Sequence, residues 1–107
     1  MEMEKIERLN KRDKHVKMAI KDIEKFKRTE TYEFFEKNIK SVSYLGTEYD
    51  ILIILKLSNT ISMGKLKYIS DEFLKMGYDD GILNLRLHTI TFMSGWKKSK
   101  EVLNEVD

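Results

Sequence analysis

The chain has 107 residues, 36% of them charged and 41% apolar, with no cysteine, no proline and a formal net charge of +2. That length allows one domain, residues 1–107, with a single core. The lack of cysteine excludes disulfides, thiolate metal sites and cysteine nucleophiles. No apolar run is long enough to span a bilayer, and charge begins at Glu2, so neither a membrane segment nor a secretory leader is expected and the cytoplasm is the default location.

A net charge this small does not by itself argue for a nucleic-acid partner, but its distribution is uneven. Residues 5–28 hold ten Lys or Arg against four Asp or Glu, whereas residues 41–107 hold eight against nine. The positive charge belongs to the first segment.

Residues 3–28 read as a helix. Ile6 and Leu9 begin an apolar track that Val16, Ala19, Ile20, Ile23 and Phe26 continue at three- and four-residue steps. Asp13 interrupts it, which predicts a kink or restart near Asn10–Asp13 with Asp13 as N-cap. At about 100° per residue, Lys14, Lys17, Lys21, Lys25 and Arg28 line the face opposite the apolar one. A short second helix capped by Thr29 or Thr31 is expected to run through Asn38, with Tyr32, Phe34, Phe35 and Ile39 supplying core.

Ser41–Leu45 reads as a strand, and Gly46-Thr47-Glu48 connects it to the stretch Tyr49–Leu57 as an antiparallel hairpin. Ile51 to Leu55 is uninterrupted apolar sequence rich in β-branched residues, which predicts a central strand covered on both faces. A homodimer that joins or stacks sheets would supply such cover, or the C-terminal helix with Trp96 within one chain. Thr60 or Ser62 caps a helix carrying Leu66, Ile69, Phe73 and Met76, ended by Gly77. After a turn at Tyr78–Gly81, Leu83, Leu85 and Leu87 alternate with polar residues, and the phase shift to Ile90 and Phe92 predicts a bulge or sharp bend near His88-Thr89. A last helix over Trp96–Val106 sets Trp96, Leu103 and Val106 against Lys97, Lys98 and Lys100. The fold class is α+β: a long N-terminal helix, a ββαβ unit and a C-terminal helix, with helices packed on a three-stranded sheet. The crossover helix favours parallel strands, adjacent or one strand removed.

The chemistry-bearing residues form no catalytic constellation. His15 and His88 are isolated, the five glycines make no phosphate loop, and Asp71-Glu72 and Asp79-Asp80-Gly81 suit a helix face and a turn. Gly46 with Asp50 heading an apolar strand resembles, in outline, the minimal nucleotidyltransferases. That family pairs a Gly-Ser turn with two carboxylates one residue apart; here Thr47 follows Gly46 and Leu52 stands two after Asp50, so the pattern fails. Carboxylates assembled from Asp50, Asp71 and Asp79 are the remaining route to an enzyme, and no cofactor or metal is expected.

Binding is what the residues favour. Lysines along the first helix (Lys14, Lys17, Lys21, Lys25, Arg28) and the cluster Trp96, Lys97, Lys98, Lys100 could neutralise phosphates and stack on a base. The expectation is a small non-enzymatic regulatory protein that engages nucleic acid or an acidic protein surface. The alternative is a protein-interaction module, such as a phage or mobile-element inhibitor docking on a host or defence protein.

Overall fold

The computed structural model describes residues 2–58 and 61–104. Its elements in order are helix α1 (Glu2–Lys27), helix α2 (Glu30–Phe35) with a 3₁₀ turn at Glu36–Asn38, strands β1 (Ile39–Gly46) and β2 (Ile51–Leu57), helix α3 (Met63–Lys75), strands β3 (Ile82–Asn84) and β4 (Thr89–Met93), and helix α4 (Trp96–Asn104). The α+β class and the helix-ββ-helix order follow the sequence, but the sheet has four strands rather than three, in the order β1-β2-β4-β3 and antiparallel throughout.

The extra strand arises at the bulge or sharp bend expected near His88-Thr89, which is a full reversal of the chain. The Asn84 side-chain oxygen accepts from the backbone N–H groups of Arg86 and Leu87 at 3.1 and 3.0 Å, and His88 takes a left-handed φ of 53°. An asparagine that bonds the backbone two and three residues on starts a reversal. The alternation of Leu83, Leu85 and Leu87 is thus a strand end followed by a turn, and Leu85 and Leu87 are exposed. The crossover through α3 joins β2 to β3, parallel and one strand removed, and the reversal slots β4 antiparallel between them.

One face of this sheet carries Ile51, Ile53, Leu55 and Leu57 of β2 with Ile90 and Phe92 of β4, all buried against the helices. Phe92 stacks on Phe73 of α3 at 4.2 Å, and Phe73 meets Phe26 of α1 at 4.7 Å, so three rings tie α1, α3 and the sheet into one core. The other face is not covered by this chain's own described elements. Leu52 and Ile54 are only half-buried, Lys56 is exposed, and register sets Leu45 and Met93 beside Leu52, both substantially exposed. Antiparallel sheets tolerate one open face.

α1 runs without the expected restart at Asp13. Its residues 2–13 are all exposed, so this half of the helix has no core to satisfy and a polar residue in its track costs nothing. α2 is capped by Thr29, whose hydroxyl accepts from the Tyr32 N–H at 3.1 Å; Phe35 is buried, while Phe34 is exposed rather than part of the core. Ser62 occupies the N-cap of α3, and the Thr60 alternative lies outside the described residues. At the other end Gly77 has φ +95°, its N–H donates to the Leu74 carbonyl and that of Tyr78 to the Phe73 carbonyl. This helix-ending motif turns Tyr78 back into the core. In α4 the buried residues are Ser99 and Val102, Trp96 points to solvent, as a stacking residue must and a core residue would not, and Val106 lies outside the described residues.

Candidate nucleic-acid interface

Lys14, Lys17, Lys21, Lys25 and Arg28 occupy the outward side of α1 and its C-terminal end, opposite the buried His15, Ala19, Ile23 and Phe26. They are not equivalent. Lys14 donates to the Leu103 carbonyl at 3.2 Å, and Arg28 stands 3.9 Å from Glu24 in an exposed pair. Such surface pairs contribute at most about 1 kcal/mol. Lys17, Lys21 and Lys25 are exposed, with no ion pair among the described residues.

The C-terminal cluster divides. Lys97 is exposed, and so is Trp96 at 79%, but the Lys100 ammonium sits 5.1 Å from the indole centroid and occupies one ring face. Lys98 is withdrawn from any surface role. Its ammonium lies 3.0 Å from Oδ2 of Asp22, donates to the Met76 carbonyl and stands 5.0 Å from the Tyr78 ring centroid. Asp22 is 1% exposed and also accepts from the Tyr78 hydroxyl at 2.8 Å. Burial raises the Tyr78 pKa far above the usual phenol value, and the Asp22 charge and hydrogen bond raise it further. This Asp22–Lys98–Tyr78 cluster locks α4 antiparallel alongside α1, with Lys98 at Asp22 and Leu103 at Lys14. A small cavity of about 300 Å³ beside it, lined by Lys25, Lys75, Lys98, Asp22 and Glu101 among others, mixes both signs of charge.

A more one-sided site lies at the other end of α1, on residues the sequence reading did not select. Lys5, Arg8 and Arg12 fall within about 60° of one another on the helix. With Leu9, Thr47, Glu48 and Tyr49 they line an open cleft of about 410 Å³ between the helix and the β1–β2 turn. Three cations face one carboxylate there. Tyr49 is 75% exposed; the Glu48 carboxylate beside it pushes its pKa up, while Arg8 pulls the other way.

The turn that carries Tyr49 is rigidly held. Thr47 Oγ1 donates to Asp50 Oδ1 at 2.7 Å and accepts from the N–H groups of Tyr49 and Asp50 at 3.1 and 3.0 Å. Thr47 N–H closes the turn on the Asp50 carbonyl at 2.9 Å. Buried His15 ties the turn to α1, its Nδ1–H donating to the Thr47 carbonyl at 2.6 Å; its Nε2 has no hydrogen-bond partner among the described residues. Gly46 completes the dock. A Cβ there would stand 2.8 Å from the Val16 nitrogen and 3.2 Å from the Arg12 carbonyl, so only glycine lets β1 approach the helix this closely.

Asp50 is thus a turn residue, His88 sits in the β3–β4 turn, and among the described residues no three His, Asp or Glu side chains gather to hold a metal ion. Nor is any described helix long and apolar enough to cross a membrane. Comparison of the chain with family models, curated proteins and solved structures found no match.

Proposed function

We propose that this protein is a small non-enzymatic regulatory binding protein that engages nucleic acid through α1. The observation that carries the reading is the cleft in which Lys5, Arg8 and Arg12 converge opposite an exposed tyrosine with one carboxylate between them. The outward lysines Lys17, Lys21 and Lys25 add a second cationic face to the same helix, and Lys97 and Lys100 of the neighbouring α4 add to its charge. Arginine's planar fork suits phosphate oxygens, and lysines neutralise a backbone without strict geometry. Lys98 has no part in this role, because its charge is already committed to Asp22.

Electrophoretic shift and heparin retention at low salt test the reading. Binding should weaken steeply with salt, and Arg8→Glu with Arg12→Glu should abolish it more completely than Lys17→Glu with Lys21→Glu. Failure of the unaltered protein to bind any polyanion at low salt would remove the proposal. The rival, a module docking on a partner protein, is favoured by the open sheet face with Leu45, Leu52, Ile54 and Met93. It requires salt-insensitive capture that Arg8→Glu leaves unchanged and Ile54→Lys destroys.

A further inference from the structure

We infer that the cleft between α1 and the β1–β2 turn accepts an unpaired nucleotide, and hence that the protein selects single strands over duplexes; the inference rests on the nucleic-acid reading above. Phosphate binding alone needs only charge, which the outward lysines of α1 already offer. The cleft adds a ring, a corner and a rigid frame. Its volume of about 410 Å³ falls in the range of small-ligand sites, so it admits one base with its sugar and phosphate and not the girth of a duplex.

Tyr49 is the stacking surface. Its backbone is fixed by the tightly bonded turn while its ring stays open to solvent on the cleft lining. An aromatic ring with only two rotatable bonds loses little freedom when a base stacks on it. Trp96 is the competing platform, but Lys100 already covers one of its faces. The cations are placed to suit. Arg8 lines the cleft with Tyr49, and Lys5 and Arg12 lie one turn to either side on the same helix face. A base on Tyr49 therefore brings its flanking phosphates to two guanidinium groups and an ammonium. A duplex keeps its bases within its own stack and offers this corner only a phosphate edge.

Glu48 opposes the phosphates and sets the affinity. Glu48→Gln removes the one carboxylate lining the cleft at nearly unchanged side-chain volume, and should tighten single-strand binding several-fold.

The test is fluorescence anisotropy of the full chain with a labelled 12-nucleotide oligothymidine and a labelled 12-base-pair duplex, from 50 to 200 mM salt. The expected result is tighter binding of the single strand by at least about 10-fold, as one stacked base provides. Tyr49→Ala should lose that margin, and Tyr49→Phe should keep it. Arg8→Ala should lower the slope of log K against log salt by about 0.7, the contribution of one phosphate contact on a single strand. Circular dichroism of each variant confirms its fold. Equal binding of both nucleic acids, or a Tyr49→Ala variant with an unchanged preference, overturns this inference and leaves the nucleic-acid reading standing. Binding of neither overturns both.

Discussion

Replacing Lys98 by methionine isolates the charge on Asp22. The carboxylate is 1% exposed and has two partners, the Lys98 ammonium at 3.0 Å and the Tyr78 hydroxyl at 2.8 Å. Methionine keeps most of the stem that packs beside Gly77 and removes only the charge and its donors. What remains is an ionised oxygen pair out of water with one neutral donor. Removing one partner of a buried pair costs about 3–5 kcal/mol, a large part of the roughly 5–15 kcal/mol that holds a domain of this size together. With a urea m-value of about 2 kcal/mol/M, the midpoint should fall by about 2 M. The exposed neighbour supplies the control, since Lys97→Met should cost under about 0.5 kcal/mol. The pairing is isolated by the double variant Asp22→Asn with Lys98→Met, in which neither charge remains. Its loss should fall short of the sum of the two single losses by about 1–3 kcal/mol. If Lys98→Met unfolds within about 1 kcal/mol of the parent, or the losses simply add, the ion pair is not what fastens α4 to α1.

Tyr78 has its folded pKa raised, by burial first and by Asp22 second, so its contribution is full below the unfolded value near 10 and is lost as pH climbs above it. Tyr78→Phe should therefore be clearly destabilised at pH 8, with the gap to the parent narrowing by about 1.4 kcal/mol per pH unit above 10 in urea titrations. Gly46→Ala drives a methyl against the Val16 backbone and should cost about 1–3 kcal/mol in thermal or urea unfolding. Because that contact sets the turn against Arg12, the same variant should weaken nucleic-acid binding even under conditions where it is fully folded. Leu85→Ser and Leu87→Ser should each change stability by less than about 0.5 kcal/mol, since both leucines are exposed in the β3–β4 turn; a loss above about 2 kcal/mol in either would mean they are core.

The elements with strong periodicity were legible. Ile51–Leu55 is a central strand, the β1–β2 hairpin pairs Val42 with Leu55 and Tyr44 with Ile53, and the left-handed Gly77 terminates α3 just past its cap. Two features misled for physical reasons. An alternation of leucines across Asn84–His88 cannot be told from a strand until the Asn84 side chain is seen to cap a reversal. The apolar run of β2 exceeds what one covered face requires, and the surplus, Leu52 and Ile54, lies on the open side. The site was missed because the first helix was divided into an apolar face and the cations opposite it. The informative stripe is the other one: Lys5, Arg8, Arg12, His15, Ala19, Asp22 and Phe26 follow three- and four-residue steps on a single side. Along that stripe exposed cations give way to buried positions in which the polar groups His15 and Asp22 alternate with apolar Ala19 and Phe26.

That gradient links the fold to the proposed activity. Phe26 anchors the stripe among aromatic rings, Asp22 binds α4 through Lys98, and His15 grips the Thr47 carbonyl. Each contact lies on the side that carries Lys5, Arg8 and Arg12 further out, so fixing the helix's rotation in the core also aims its cations at the cleft. A helix held only at its apolar end would swing the overhang through its full arc. The His15 bond and the Gly46 contact, within one turn of Arg12, restrict that swing where the cleft begins. The buried polar groups of α1 are thus best understood as alignment devices. Substituting His15 by phenylalanine should therefore harm binding more than it harms stability, because the ring volume survives while the bond that orients the overhang is lost.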